Sequence, residues 1–231
     1  MAKSAVIVGA GSGISASVAR RLAERGYRVC LAARSPEKLA ALADEIGGVA
    51  SACDAADPDS VAALFDGLPA DEPLGFVLYN ASARQRAAFA DLDPDQVRNA
   101  LMVSAYGGFL VAHQAVRRML PLGSGAVFFT GASASVKGYA HSAPFAMGKF
   151  ALRGMAQSMA RELHPKGLHI AHFVIDGGVR NPNRPERVEP ADRPDSMLDP
   201  DAIADTYMAV LDQNRSAWSW EVEVRPWVES F

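Results

Sequence analysis

The chain has little of three features that mark particular classes of protein. It has 2 cysteines in 231 residues, Cys30 and Cys53, which are too few for a disulfide framework and form no C-x-x-C pair. Its 23 lysines and arginines do not outnumber its 26 aspartates and glutamates, so it lacks the basic surplus that nucleic-acid binding requires. No apolar run approaches the length of a membrane span. We therefore expect a cytoplasmic protein, with no metal site and with neither nucleic acid nor a membrane as partner.

The sequence does have a regular alternation of short β-branched runs with Ala- and Leu-rich stretches of helical period. Strands are predicted at 4–9, 28–33, 48–53, 75–79, 125–130, 168–175 and 220–225, and helices at 13–25, 36–46, 58–67, 94–120, 144–164 and 200–214. No repeat or low-complexity linker divides the chain. The pattern predicts one α/β domain over residues 1–231, a Rossmann-type doubly wound parallel sheet flanked by helices.

One segment, residues 180–199, breaks this alternation because it is polar, rich in proline and without helical period. A loop of this length is usually either a lid or disordered. It follows the sixth predicted strand, where a cover would lie over a ligand crevice at the carboxyl ends of the strands. The sequence leaves a working lid and a solvated insertion equally open.

A glycine-rich turn, Gly9-Ala10-Gly11-Ser12-Gly13-Ile14-Ser15, joins the first strand to the first helix. Glycines let the backbone turn sharply and let a pyrophosphate approach the helix N-terminus, whose free N–H groups favour anions. The turn alone is a weak signal, but its position in a βαβ series favours a nucleotide site over a plain tight turn. The predicted contacts are Gly9, Gly11, Ser12, Gly13 and Ile14.

Four features occur together: the spacing Gly9-x-x-x-Gly13, Asp54 after the third strand, Asn80-Ala81-Ser82 after the fourth, and Lys149 on the long fifth helix. With them the chain resembles the short-chain dehydrogenase/reductase family over essentially its whole length. The resemblance implies a Rossmann-type sheet, an NAD(H) or NADP(H) cofactor, and oxidation or reduction of an alcohol or carbonyl in a small-molecule substrate. The family's usual signature is T-G-x-x-x-G-x-G, and here Val8 and Ser15 stand at its first and last places.

The resemblance also implies cofactor contacts after the later strands. Asp54 should accept a hydrogen bond from the adenine amino group, and Asn80-Ala81-Ser82 matches the family's N-A-G turn beside the nicotinamide ribose. Ser82 replaces the glycine of that turn. The full set of implied contacts is Asp54, Ala55, Asn80, Ala81, Ser82, Lys149, Asp176 and Gly177.

The end of the second strand, Ala32-Ala33-Arg34-Ser35, bears on the choice between the two cofactors. It offers no acid where NAD-preferring members hold the ribose 2′-hydroxyl. A guanidinium in this place can bind a 2′-phosphate by paired, charge-assisted hydrogen bonds. Ala33 and Arg34 therefore favour NADP(H) over NAD(H), the alternative being that Arg34 is only a solvated cation at a strand end.

Family members carry a catalytic Ser, Tyr and Lys, with an Asn on the fourth helix. The Tyr and Lys stand one helical turn apart, so that the ammonium lowers the pKa of the phenol. Here the position four residues before Lys149 is Phe145, the Ser position thirteen residues earlier is Ala132, and the Asn position is Ser104. Because only Lys149 matches, we expect hydride transfer by the family's usual mechanism to be much slower.

Three functions remain open. A reductase with substitute donors would use Ser133, Tyr139 or His141 together with Lys149. A catalytically lapsed protein would bind NADP as a sensor or a partner subunit, and a cofactor-independent hydrolase or lyase would use the same crevice. Since the glycine turn, Asp54 and the other cofactor positions are present together, we expect an NADP(H)-dependent oxidoreductase with an atypical active site.

The resemblance also implies a homodimer or homotetramer, since family members commonly associate through the fourth and fifth helices. Small residues at 146, 148, 151, 154 and 156 would let such helices approach closely, although they would equally suit packing on the sheet. The substrate is not specified. Arg84 and Arg86, in the segment 83–92 at its expected entrance, suggest an anionic group, but solvated surface charge explains them as well.

Overall fold

The computed structural model describes residues 2–181 and 183–229, and within them seven strands form one parallel sheet. The strands are β1 (Lys3–Val8), β2 (Tyr27–Ala33), β3 (Val49–Ala52), β4 (Leu74–Tyr79), β5 (Gly125–Thr130), β6 (Leu168–Ile175) and β7 (Glu221–Val224). Their order across the sheet is β3-β2-β1-β4-β5-β6-β7. The chain therefore crosses to one side of β1 and then to the other, which confirms the predicted doubly wound Rossmann-type sheet.

Helices connect these strands and cover both faces of the sheet. They are α1 (Ile14–Glu24), α2 (Ala40–Ile46), α3 (Pro58–Asp66), α4 (Pro94–Leu101), α5 (Gly107–Met119), α6 (Ala143–Leu163) and α7 (Pro200–Leu211). The single helix predicted over 94–120 is α4 and α5 joined by a π turn, Met102–Tyr106. A π turn inside a helix is frequent at functional sites, and this one lies beside the carboxyl ends of the strands.

Three of these helices begin with the same two-residue signal. Asp57, Asp93 and Asp199 precede α3, α4 and α7, and each carboxylate accepts a hydrogen bond from the backbone N–H two residues later. A proline follows each aspartate at the first helical position, where its missing N–H costs nothing. These starts agree with the predicted ones because the signal is local and needs no tertiary contact.

The two faces of the sheet carry separate hydrophobic cores. Alternate residues of β1 point to opposite faces, with Val6 and Val8 against α3, α5 and α6 and with Ala5 and Ile7 against α1, α2 and α7. Every residue of β6 is buried. Burial on both sides explains why these strands are almost continuously apolar in sequence. None of the helices in the described parts of the chain is long and apolar enough to cross a membrane.

Candidate active site

A cavity of about 910 Å³ lies at the carboxyl ends of the strands, at the place where the strand order reverses between β1 and β4. It extends from the glycine turn after β1 to Phe145 and Lys149 on α6. Its volume lies at the upper end of the range typical of cofactor and substrate sites. Of the residues predicted to contact a cofactor, all except Asp176 line it: Gly9, Gly11, Ser12, Gly13, Ile14, Ala33, Arg34, Asp54, Ala55, Asn80, Ala81, Ser82, Lys149 and Gly177.

The N-terminus of α1 opens into this cavity. Its N-cap residue is Gly13, and no side chain caps the helix, so the first N–H groups are free to bind a ligand. A Cβ atom at Gly11 would meet nothing within 4 Å, whereas one at Gly9, where φ is +80°, would collide with the backbone of Ala81. The turn is therefore tight at Gly9 and open above Gly11, a shape that fits the diphosphate of a dinucleotide.

Ser15, which stands at the last glycine place of the family signature, ties this turn together. Its hydroxyl donates to the carbonyl oxygen of Gly9 at 3.2 Å and accepts a hydrogen bond from Asn80 Nδ2 at 2.8 Å. Asn80 Nδ2 also lies 3.2 Å from the Gly9 oxygen. The serine is buried, and its hydroxyl thus joins the glycine turn to the segment that follows β4.

At the opposite wall, Asp54 and Arg34 project from the ends of neighbouring strands. Asp54 Oδ1 accepts a hydrogen bond from the N–H of Ala56 at 3.0 Å, and the backbone N–H of Asp54 donates to Ser60 Oγ. The exposed Arg34 side chain makes no hydrogen bond or ion pair with the described residues. This wall therefore offers one oriented carboxylate and one free guanidinium to a ligand.

Lys149 is a buried basic residue in the lining of the cavity. The side chain is 3% exposed, and Nζ donates a 2.6 Å hydrogen bond to the backbone oxygen of Thr130. Burial, together with the positive charge of Arg84, lowers the pKa of Lys149 to about 7. Its ammonium can therefore lose its proton near neutral pH.

Phe145 lines the cavity one helical turn before Lys149, and its ring centroid lies 5.9 Å from Lys149 Nζ. The guanidinium carbon of Arg84 lies 4.0 Å from the centroid of the same ring. Ala132 also lines the cavity. Ser104 is fully buried in the π turn, where its hydroxyl accepts the N–H of Ala83 at 3.1 Å. The structure thus brings Phe145, Ala132 and Lys149 together at one end of the cavity.

The substitute proton donors suggested by the sequence lie elsewhere. Neither Ser133, Tyr139 nor His141 is among the described residues that line the cavity, and Tyr139 is 47% exposed. Their proposed roles stay untested predictions. Asp176 is also outside the lining, and its carboxylate pairs with Lys137 at 3.4 Å and with Arg225 at 3.1 Å.

The segment after β6, which sequence analysis left as either lid or insertion, folds over the cavity. Arg180, Asn181, Arg184 and Arg187 line it, and Ser12 Oγ donates to Asn181 Oδ1 at 3.1 Å. Sequence analysis located the loop but not these contacts. Its polar, proline-rich composition indicates a loop. Because the apolar residues of this segment follow no helical or strand period, the sequence does not specify which side chains point into the cavity.

A partly buried chain of hydrogen bonds connects Ser135, His172 and Glu221. Ser135 Oγ is 3.2 Å from His172 Nε2, and His172 Nδ1 is 3.1 Å from a carboxylate oxygen of Glu221. Arg153 holds Glu221 with two bonds, of 2.5 and 2.7 Å. Burial of His172 lowers its pKa to about 4, so it is neutral at pH 7.

In the described parts of the chain, no group of three or more His, Cys, Asp or Glu side chains is placed to hold a metal ion.

Comparison with known proteins agrees with this geometry. The family model for short chain dehydrogenase matches residues 3–189. The chain belongs to the short-chain dehydrogenase/reductase family. It is similar to D-threitol dehydrogenase of Mycolicibacterium smegmatis, at 29% identity over 73% of this chain and 67% of that protein. It is also similar to (-)-isopiperitenol/(-)-carveol dehydrogenase of Mentha piperita, at 32% identity over 73% of this chain and 66% of that one.

Solved structures of short-chain dehydrogenases share the fold. A short-chain dehydrogenase from Rhodopseudomonas palustris superposes with a TM-score of 0.84 at 36% identity, covering 97% of this chain and 99% of that chain. A metagenomic short-chain oxidoreductase in complex with NADP gives a TM-score of 0.80 at 26% identity, covering 97% of each chain. The prediction of a Rossmann-type oxidoreductase family is thereby confirmed.

Proposed function

We propose that this short-chain dehydrogenase/reductase is an NADP(H)-dependent oxidoreductase that interconverts a carbonyl and an alcohol in an atypical active site. The observation that carries the proposal is the continuous cavity joining the open N-terminus of α1 to the buried amine of Lys149. An anion-binding helix end and a titratable proton carrier at two ends of one cavity suit a dinucleotide and its substrate. The relatives named above as dehydrogenases, and the neighbour in complex with NADP, support the same function.

The cofactor preference rests on charge at the end of β2. Arg34 and Lys38 line the cavity and have no carboxylate partner among the described residues. An adenosine 2′-phosphate would give both cations a partner, whereas a 2′-hydroxyl would not. Asp54 remains available to the adenine, with one carboxylate oxygen already oriented by Ala56.

Lys149 takes the part that the resemblance assigns to a tyrosine. A reduced nicotinamide, when bound, supplies the hydride. The carbonyl oxygen of the substrate needs one proton in the same conversion, and Lys149 Nζ holds a transferable proton because its pKa is about 7. In the direction of oxidation, the neutral amine accepts the proton of the alcohol. Phe145 contributes no proton, and its apolar ring lies beside Nζ, with the ring centroid at 5.9 Å.

The test is a fluorescence titration of the wild type and Arg34→Gln with NADPH and with NADH. We expect the wild type to bind NADPH at least about tenfold more tightly than NADH, and Arg34→Gln to lose most of that ratio because one charge-assisted contact is removed. Arg117→Gln is the control, since Arg117 is exposed on α5 and does not line the cavity. Absence of binding by either dinucleotide would refute the proposal and favour a cofactor-independent reaction.

Incubation of the NADPH-loaded protein with a panel of aldehydes and ketones then separates enzyme from sensor. Oxidation of NADPH that declines as the pH rises above about 7 is expected, since Lys149 loses its proton there. Tight binding with no oxidation of NADPH by any compound would instead support a lapsed enzyme that serves as an NADP sensor.

A homo-oligomer remains part of the proposal. Tyr106, Phe109 and His113 stack on one another along the π turn and α5, and Tyr106 and Phe109 are 38% and 48% exposed. On α6, Met147 and Phe150 are exposed to a similar degree. Apolar side chains grouped in this way support association through these helices. A monomeric mass in light scattering would overturn this part.

A further inference from the structure

The cavity carries far more positive than negative charge. Among the described residues that line it, seven side chains are basic and one, Asp54, is acidic. The basic ones are Arg34, Lys38, Arg84, Lys149, Arg180, Arg184 and Arg187. Arg34 and Lys38 are assigned above to the 2′-phosphate, and Arg180 already pairs with Glu189 and Asp199. Arg84, Arg184 and Arg187 are left without an assigned partner.

Arg84 stands at the reacting end of the cavity. Its guanidinium carbon lies over the face of the Phe145 ring, 4.0 Å from the ring centroid. Phe145 occupies the position that the family resemblance assigns to the proton-donating tyrosine. Stacking uses the flat face of a guanidinium and leaves the N–H groups at its edge available for planar, paired hydrogen bonds. Those N–H groups make no hydrogen bond or ion pair with any residue in 2–181 or 183–229.

Arg184 and Arg187 are brought to the same region by a hydrogen-bonded turn. The N–H of Arg184 donates to the oxygen of Asn181, and the N–H of Arg187 donates to the oxygen of Arg184. Burial, followed by the positive charges of Arg187, Arg86 and Arg184, lowers the pKa of Arg84. Neighbouring cations with no acid between them repel one another, and an anion placed among them relieves this repulsion.

The nearby acids do not serve that purpose. Glu189 is held by Arg180 at 3.5 Å and accepts the backbone N–H of Met197 at 2.9 Å. Asp199 pairs with Arg180 and caps α7. Arg84 therefore has no acid partner among the described residues, and an anionic ligand would supply one.

We propose that Arg84, supported by Arg184 and Arg187, binds an anionic group of the substrate, a carboxylate or a phosphate, above the ring of Phe145. The inference rests on the proposed oxidoreductase site, because that function places the reacting carbonyl beside Lys149. It adds the class of substrate, which is a carbonyl or hydroxy compound that also bears a negative charge. Phe145 then has a role of its own, since its ring holds the guanidinium face-on and directs the N–H edge toward the substrate.

The test measures binding of three probes of similar shape, benzoate, phenyl phosphate and the neutral benzamide, by calorimetry on the full chain saturated with NADP+. At least one of the two anions should bind about tenfold or more tightly than benzamide, and the stronger of the two identifies the anionic group. Arg84→Gln should reduce anion binding to the level of benzamide. Arg117→Gln is the control, since Arg117 is exposed on α5, does not line the cavity and is not one of the cations that act on Arg84. It should leave the preference within about twofold of the wild type.

The outcomes separate this inference from the proposed function. Equal binding of benzamide and both anions, or equal losses in Arg84→Gln and Arg117→Gln, would overturn the anionic subsite. NADPH affinity measured on the same variants should be unchanged by Arg84→Gln, which also shows that the variant is folded. If the wild type binds no dinucleotide, the proposed function fails, while the probe series on the unloaded protein still decides whether Arg84 binds anions.

Discussion

The amine of Lys149 donates to the backbone oxygen of Thr130 over 2.6 Å, at the carboxyl end of β5. Burial disfavours the charged ammonium and lowers the pKa of Lys149 from 10.5 to about 7. The hydrogen bond to Thr130 only partly offsets the lost contact with water. The buried position of Lys149 is therefore costly for folding, and in the proposed function its titration serves proton transfer.

Replacing Lys149 with methionine should stabilise the protein at pH 7. The unfolded lysine keeps its proton up to about pH 10.5, whereas the folded one loses it above about pH 7. Between these values the wild type gains stability as the pH rises, so the advantage of Lys149→Met should shrink by up to about 1.4 kcal/mol per pH unit. Urea unfolding from pH 6 to 10 measures the difference. Lys166→Met, at an exposed site, is the control, and an advantage independent of pH would contradict the buried charge.

Introducing a hydroxyl at Phe145 should raise the rate of carbonyl reduction. A phenol one helical turn before Lys149 would supply a general acid, a contribution that is typically on the order of 10² or more. We expect Phe145→Tyr to increase kcat at least about tenfold on a carbonyl that the wild type reduces. Phe150→Tyr, on the exposed side of α6, is the control. Equal rates in the two variants would mean that position 145 is not next to the reacting oxygen.

The hydroxyl of Ser15 should contribute measurably to stability. Ser15→Ala leaves Asn80 Nδ2 with the Gly9 oxygen as its remaining partner, and the loss of buried hydrogen bonds typically costs about 1 kcal/mol. Ser17 is a matched control on the same helix, since it is buried and its hydroxyl bonds to none of the described residues. Chemical denaturation should show a larger loss for Ser15→Ala than for Ser17→Ala, and the reverse order would count against this tie.

His172 should make the protein sensitive to acid. Its pKa is about 4 in the folded chain and 6.5 without the fold, so the unfolded chain binds a proton that the folded one does not as the pH falls between these values. Stability is therefore lost toward pH 4. His172→Gln should reduce this loss by up to about 1.4 kcal/mol per pH unit, measured by thermal unfolding at pH 7, 5.5 and 4.5. His169, whose pKa is also about 4, keeps part of the effect in this variant.

Much of the fold follows from local pattern. The strand predicted at 168–175 matches β6 residue for residue, since a largely apolar run between Gly167 and Asp176 marks both of its ends. The Asp-Pro pairs located three helix starts, and the glycine turn located one end of the cavity.

The parts that sequence analysis missed depend on contacts between distant segments. Arg84 stacks on a ring 61 positions further along the chain, and Ser15 bonds to a residue 65 positions away. The two residues of each pair do not share a helical or strand period or a sequence motif. The sequence pattern therefore does not indicate that they are in contact. The positions of Arg184 and Arg187 were missed for a different reason, since they are set by backbone hydrogen bonds within a loop that has no sequence period.

The contact between Ser12 and Asn181 links the turn after β1 with the loop after β6, which are 169 positions apart. One end of this bond belongs to the expected diphosphate site and the other to the cover above the substrate end. A displacement of this loop away from the strands would therefore break the bond and open the expected diphosphate site and the substrate end together.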